Sequence, residues 1–174
     1  MKSSNNTSFV CEIPLKDTPV IERHLLVRLD CARMVYNACL GESFKRLNVL
    51  RESKKCREAL KMPKAASGTK TAKDRTAAFR EANKEVGFGE YDLHAYAKRF
   101  GHSWLGKHLD SLTVQKIATR AFNAVQQYSF GKKGKPRFKG KGSFDSVEGK
   151  TNTSGIMWRG DRAVWMRVFI NPQI

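Results

Sequence analysis

The chain has 174 residues, 40% of them apolar, which suffices for one ordinary core or two small joined ones and argues against wholesale disorder. Its 33 Lys and Arg against 16 Asp and Glu leave a net charge of +17, so nucleic acid is the leading partner class. No apolar run is long enough to span a bilayer, no apolar signal core follows Met1, and Cys11, Cys31, Cys39 and Cys56 form no C-x-x-C pair; the expectation is a cytosolic protein with reduced, mostly buried thiols, without membrane, disulfide framework or zinc site.

Residues 2–8 read as a frayed polar terminus. Phe9, Cys11, Ile13 and Leu15 then alternate with Val10, Glu12 and Pro14, which predicts a short strand, placed at a sheet edge or strand end by Pro14. The period changes at residues 17–19, where Thr18 caps a helix, Pro19 takes its first position and Glu22 complements its positive end. Apolar residues from Ile21 through Leu29, Val35, Tyr36, Leu40 and Leu47 to Leu50 recur at spacings of three and four, predicting one long helix with charge on its other face.

Residues 63–71, PKAASGTKT, read as a flexible link. Two shorter helices are expected over residues 74–86 and 92–100, separated by Gly87 and Gly89, followed by an irregular connection over 101–107 containing Trp104. Asp110 and Ser111 cap a clearer helix whose apolar stripe runs through Val114, Ile117, Ala121, Phe122, Val125 and Tyr128 while Gln115, Lys116, Arg120 and Gln127 face elsewhere.

That helix feeds into residues 131–142, GKKGKPRFKGKG, which carry Lys132, Lys133, Lys135, Arg137, Lys139 and Lys141 with no acidic residue among them. Glycines and Pro136 keep the segment out of a helix, so a slim backbone is free to follow a phosphate chain while its cations neutralise successive phosphates. Phe138 in their midst either stacks on an unpaired base or terminal base pair, or anchors the loop in the core. Strands are expected over residues 144–147, 155–159 and 162–170, with Gly160 and Asp161 forming a tight primed hairpin turn. The fold class is therefore α+β: strands at both chain ends bracket a helical middle, and pairing the ends in one small sheet leaves the helices inserted as a lobe.

Three phrases carry a family resemblance: ARMVYNACL at residues 32–40, LDSLTVQKIATRAFNAV at 109–125 and GKKGKPRFKGKGSFDSVEGK at 131–150. After an opening strand, and in this order and spacing, they resemble the N-terminal half of transposon-encoded TnpB proteins and the related compact type V CRISPR effectors. The resemblance spans nearly the whole chain, and the last phrase is its most distinctive part. It implies a small antiparallel β wedge sheet or barrel formed by both chain ends (residues 1–16 and 131–174), interrupted by a helical recognition lobe (17–130). It also implies partners: a guide or structured RNA, double-stranded target DNA, and a separate nuclease half or second copy, in a prokaryotic, nucleoid-associated setting. In the family a RuvC-like domain follows and cuts DNA with carboxylate-bound divalent metal. Ile174 falls about where that domain would begin, so no cofactor is expected for this chain and no catalytic residue is assigned to it.

The resemblance places Arg137, Phe138 and Lys139 on the RNA- or duplex-bearing surface, with Lys132, Lys133, Lys135, Lys141 and Lys150 as phosphate contacts. Ser143 and Ser146 offer hydroxyls to phosphates, and Asp145 orients a neighbouring cation. Asn37 either reads a base edge or closes an internal hydrogen bond, and Tyr36 beside it lies on the apolar stripe. Gln115 and Lys116 either face DNA or belong to a solvated surface. His24, His94, His102 and His108 show no metal-site spacing. Two rival functions remain: a structural RNA-binding protein of a ribonucleoprotein, or a nuclease-lacking RNA-guided repressor. A self-sufficient nuclease would need Asp30, Glu90, Asp92 and Asp110 to converge, and no pattern supports that.

Overall fold

The computed structural model describes residues 11–16 and 18–172; the expected strand positions Phe9 and Val10, and Asp17, lie outside the described residues. In chain order the elements are β1 (Leu15–Lys16), α1 (Pro19–Glu52), α2 (Lys54–Lys61), α3 (Lys70–Val86), α4 (Glu90–Ala97), two 3-10 turns (Lys98–His102 and Trp104–Lys107), α5 (Ser111–Ser129), β2 (Ile156–Arg159), β3 (Arg162–Trp165) and β4 (Val168–Pro172). The protein is thus α+β, as its patterning indicates. Among the described residues no helix is long and apolar enough to cross a membrane.

Side-chain caps set the helix boundaries. The Thr18 hydroxyl accepts from the Ile21 amide at 3.3 Å with Pro19 leading α1, and Asp110 accepts from the Thr113 amide at 2.9 Å to open α5. Two caps revise the sequence expectation. Ser53 accepts from the Cys56 amide at 3.1 Å and starts α2, an element the apolar stripe alone does not reveal. Thr69 accepts from the Ala72 amide at 3.3 Å, so α3 begins at Lys70 rather than Asp74. Gly87, at φ 64° in the left-handed region, closes α3 with its N–H on Lys84. The connection expected to be irregular is wound into 3-10 turns, and Trp104 within it is exposed.

The core lies where α1 meets α5. Ala32, Ala118 and Ala121 are fully buried, and such small residues let the two helix backbones approach closely enough for Val35, Leu40, Ile117 and Val125 to interdigitate. Leu93 and Ala97 of α4 close one side, and the Phe88 and Phe122 rings pack at 5.3 Å. Cys31, Cys39 and Cys56 are buried free thiols, and burial pushes the Cys39 thiol up to about 12.

The sheet is antiparallel, in the order β1-β4-β3-β2, so both chain ends meet in it. It remains open rather than closing into a barrel. Two further expectations are corrected. Residues 144–147 form no strand; Phe144 is instead buried against Tyr36, ring to ring at 5.5 Å. Residues 162–170 are two strands, not one: Trp165 pairs with Val168 across a two-residue turn at Met166 and Arg167. Both turn residues have positive φ, 47° and 67°, a conformation that costs an L-residue with a side chain about 1–2 kcal/mol and is normally left to Gly or Asn. By contrast Gly160 and Asp161 make the expected tight hairpin, with Gly160 at φ 61°.

Arg28 explains how an unfavourable turn persists. It is 7% exposed, projects from α1, and donates to the carbonyls of Trp165 and, at 3.1 Å, Met166, while its guanidinium lies 5.2 Å from the Trp165 ring centre. The Trp165 indole N–H donates to Asp110 at 3.1 Å, so the same tryptophan is tied to the cap of α5. Burial pulls the Arg28 guanidinium below its ordinary value, and the charge of Asp110 opposes that shift. Gly155, at φ 83°, lets the chain pass this cap: a Cβ there would stand 2.8 Å from an Asp110 carboxylate oxygen.

Arg28→Met keeps the apolar stem but strands two carbonyls, and is expected to destabilise the fold by about 2–3 kcal/mol in chemical denaturation. Arg167→Gly, at an exposed position whose side chain works against its backbone, is expected to stabilise by roughly 0.5–1 kcal/mol in the same assay.

Candidate nucleic-acid interface

The basic segment leaves α5 at Phe130 and crosses the seam between α5 and α1 without regular secondary structure. One side chain holds it there. The Asn37 carboxamide donates to the Lys139 carbonyl at 2.9 Å and accepts from the Lys139 amide at 2.8 Å, imitating a strand partner, and Arg33 adds a donor to the same carbonyl at 3.4 Å. Asn37 is therefore spent inside the protein, the second of its two expected roles. Five residues on, Phe144 is buried, with the Arg120 guanidinium 4.9 Å from its ring centre and bonded to the Ser146 carbonyl at 3.0 Å. The loop is thus fastened at both ends of its 139–146 stretch.

Along residues 131–142 the cations stay free of ion pairs. Lys132, Lys133, Lys135, Arg137, Lys139 and Lys141 have no ion-pair partner among the described residues. Lys135 rests 5.3 Å from the Phe44 ring centre, and Lys132 rests 6.0 Å from that of Phe130. Phe138 is 60% exposed, so it is not the buried anchor that the sequence left open.

The segment divides the surface into two clefts. On the α5 side a cleft of about 530 Å³ collects Lys116, Arg120, Asn123, Lys133 and Lys139 beside the buried Tyr36. On the α1 side a cleft of about 910 Å³ collects Lys45, Asn48, Arg51, Lys135, Arg137 and Phe138. Lys45, Asn48 and Arg51 escape a reading for apolar stripes, yet their spacing of three residues along α1 already places them on one face. Arg120 is legible only as a polar position; its contact with Phe144 depends on a loop folding back.

The remaining expected residues are partly engaged within the protein. Lys116 pairs with Glu148 at 2.9 Å, and Lys150 donates to Gln115 at 2.8 Å, so these contacts fasten residues 148–150 to α5. The Ser143 hydroxyl donates to the Gly140 carbonyl at 2.7 Å and closes a turn, and the Ser146 hydroxyl donates to Asp145 at 3.2 Å. His94 lies 2.8 Å from the Thr119 hydroxyl, which donates to Glu90 at 2.7 Å and ties α4 to α5; burial lowers the affinity of this histidine for its proton. Asp30 pairs with Arg33, Glu90 with Thr119 and Asp110 with Trp165, so these carboxylates are each committed elsewhere. Among the described residues no three His, Cys, Asp or Glu side chains are grouped to hold a metal ion.

Asn37→Asp replaces the carboxamide donor with a second acceptor facing the Lys139 carbonyl. Loss of roughly 1–3 kcal/mol at that clamp is expected to accelerate hydrogen exchange at the Lys139 amide by about fivefold or more, with amides of the α5 core unchanged. Comparison of the chain with protein-family models, curated proteins and solved structures gives no match.

Proposed function

We propose that this chain binds nucleic acid through residues 131–142, in the manner of the RNA- and target-DNA-holding half of the TnpB-like RNA-guided nucleases that its sequence resembles. The observation that carries the reading is the clamp on Lys139: an extended segment fixed to two helices presents unpaired cations on both flanks, preorganised for a phosphate chain. No acidic side chain among the described residues pairs with these cations, which supports a positive field open to an external polyanion. Structured RNA encoded beside the gene and RNA-paired target DNA are the partners in this reading, within the cytoplasm at the nucleoid. DNA cutting belongs to nuclease carboxylates and divalent metal outside these residues, whether in a separate nuclease half or further along a longer chain.

Two measurements test it. Sequencing the RNA that copurifies at high salt is expected to give one discrete species, lost in the Arg137→Ala, Lys139→Ala double variant, and duplex DNA binding is expected to require that RNA. RNA-independent DNA binding, or bulk ribosomal RNA alone, would instead mark a structural RNA-binding protein. In titrations across salt concentration, Lys135→Ala with Arg137→Ala is expected to flatten the dependence of log affinity on log salt by about 1.4–1.8, the loss of two phosphate contacts.

A further inference from the structure

We propose that the cleft between α1 and the basic segment is a binding site for one unpaired nucleobase, stacked on the ring of Phe138. The inference rests on the nucleic-acid reading above and extends it by assigning the strandedness of the partner at this site.

Phe138 is the uncommitted aromatic face of the cleft. Phe44 is covered by the Lys135 ammonium at 5.3 Å and meets Tyr128 edge to face at 6.0 Å, while Tyr128 is covered by Arg51 at 5.5 Å. Phe138 shows 60% of its surface to solvent, yet its position is determined, because the next residue is held at both backbone groups by Asn37. Its ring edge faces Gly41 of α1, with room between them for a Cβ at an ordinary 3.8 Å, and most of the ring is open to solvent. A solvent-facing phenyl ring on a clamped loop suits a flat partner that carries its own negative charge nearby.

The cleft supplies the rest of what a nucleotide needs. The exposed Asn48 side chain makes no hydrogen bond to the described residues and offers a donor and an acceptor to a base edge. Lys45, Arg51 and Arg137 stand around it for the flanking phosphates, and no carboxylate lines the cleft, whereas Glu148 lines the cleft on the α5 side. An internal base of a duplex has both faces covered by its neighbours and cannot reach the ring, and of the two stacking partners, an unpaired base or a terminal pair, the cleft beside α1 is assigned to the unpaired base. The site therefore selects single-stranded nucleic acid, including loops and bulges of a folded RNA.

The test compares a short single-stranded oligoribonucleotide carrying one 2-aminopurine with the same sequence in a duplex, using the full chain. Quenching of the 2-aminopurine by the wild-type protein is expected for the single strand only. Phe138→Ala is expected to weaken single-strand binding by about fivefold to about 150-fold without changing its salt dependence, to leave duplex binding within about twofold, and to be rescued by Phe138→Trp. Equal losses on single strand and duplex would overturn the proposal by making Phe138 a loop anchor, and so would no loss on either. Absence of salt-dependent binding by the wild type to both probes would instead bring down the nucleic-acid reading itself. Because the side chain is largely exposed, thermal melts of the variants are expected to match the wild type.

Discussion

The guanidinium of Arg28 is the point on which the arrangement of sheet and helices depends. A buried cation is costly unless its donors are used, and here they are used on the two carbonyls of a turn that the local sequence does not favour. The stacked Trp165 then passes the connection to Asp110, which also caps α5 and bonds the Thr113 hydroxyl at 2.6 Å. Helix α1, the β3–β4 hairpin and the start of α5 are thereby fixed against one another by a few side chains. The small sheet does not have to supply its own core: Trp165 and its cross-strand partner Ile156 pack into the core shared by α1 and α5.

The same economy governs charge. None of the ion pairs among the described residues uses a cation of the 131–142 segment; Asp30 pairs with Arg33, Glu42 with Arg46, Glu81 and Glu85 with Lys55, Glu148 with Lys116 and Asp161 with Arg162, among others. The exposed pairs add little stability. Their consequence is spatial, because each acid placed elsewhere leaves a cation of the segment without compensation. The backbone of that segment is meanwhile held by neutral groups, chiefly the Asn37 carboxamide, so fixing its position consumes none of its charge. A comparable device recurs at the sheet edge, where Asn152 accepts from the Trp158 amide at 2.6 Å and donates to its carbonyl at 3.1 Å.

Elements announced by short-range chemistry were the legible ones. Thr18 with Pro19, and Asp110 with the stripe from Val114 to Val125, identify α1 and α5 because capping and periodicity act within one or two turns of chain. Helix α2 carried the same kind of signal in Ser53, but at eight residues it offers only about two turns to read and follows α1 with a single residue between. The break within residues 162–170 carried no local signal. Val164, Met166, Val168 and Ile170 alternate as a continuous strand would, and a two-residue turn preserves that alternation while reversing direction.

Composition and local pattern determined the α+β class, the placing of strand-forming stretches at both chain ends around a helical middle, and the presence of a cationic segment unable to form a helix, since each depends on residues close together in sequence; the pairing of Leu15 with Pro172 is long-range. Tertiary structure alone decided that Asn37 clamps Lys139 across 102 positions, that Arg28 holds a turn 137 positions away, and that Phe138 rather than Phe144 faces solvent. Two phenylalanines six residues apart in the same loop have the same intrinsic preference for burial. Which of them finds a cavity depends on the Tyr36 ring and the Arg120 guanidinium, supplied by two helices that only the folded chain brings together.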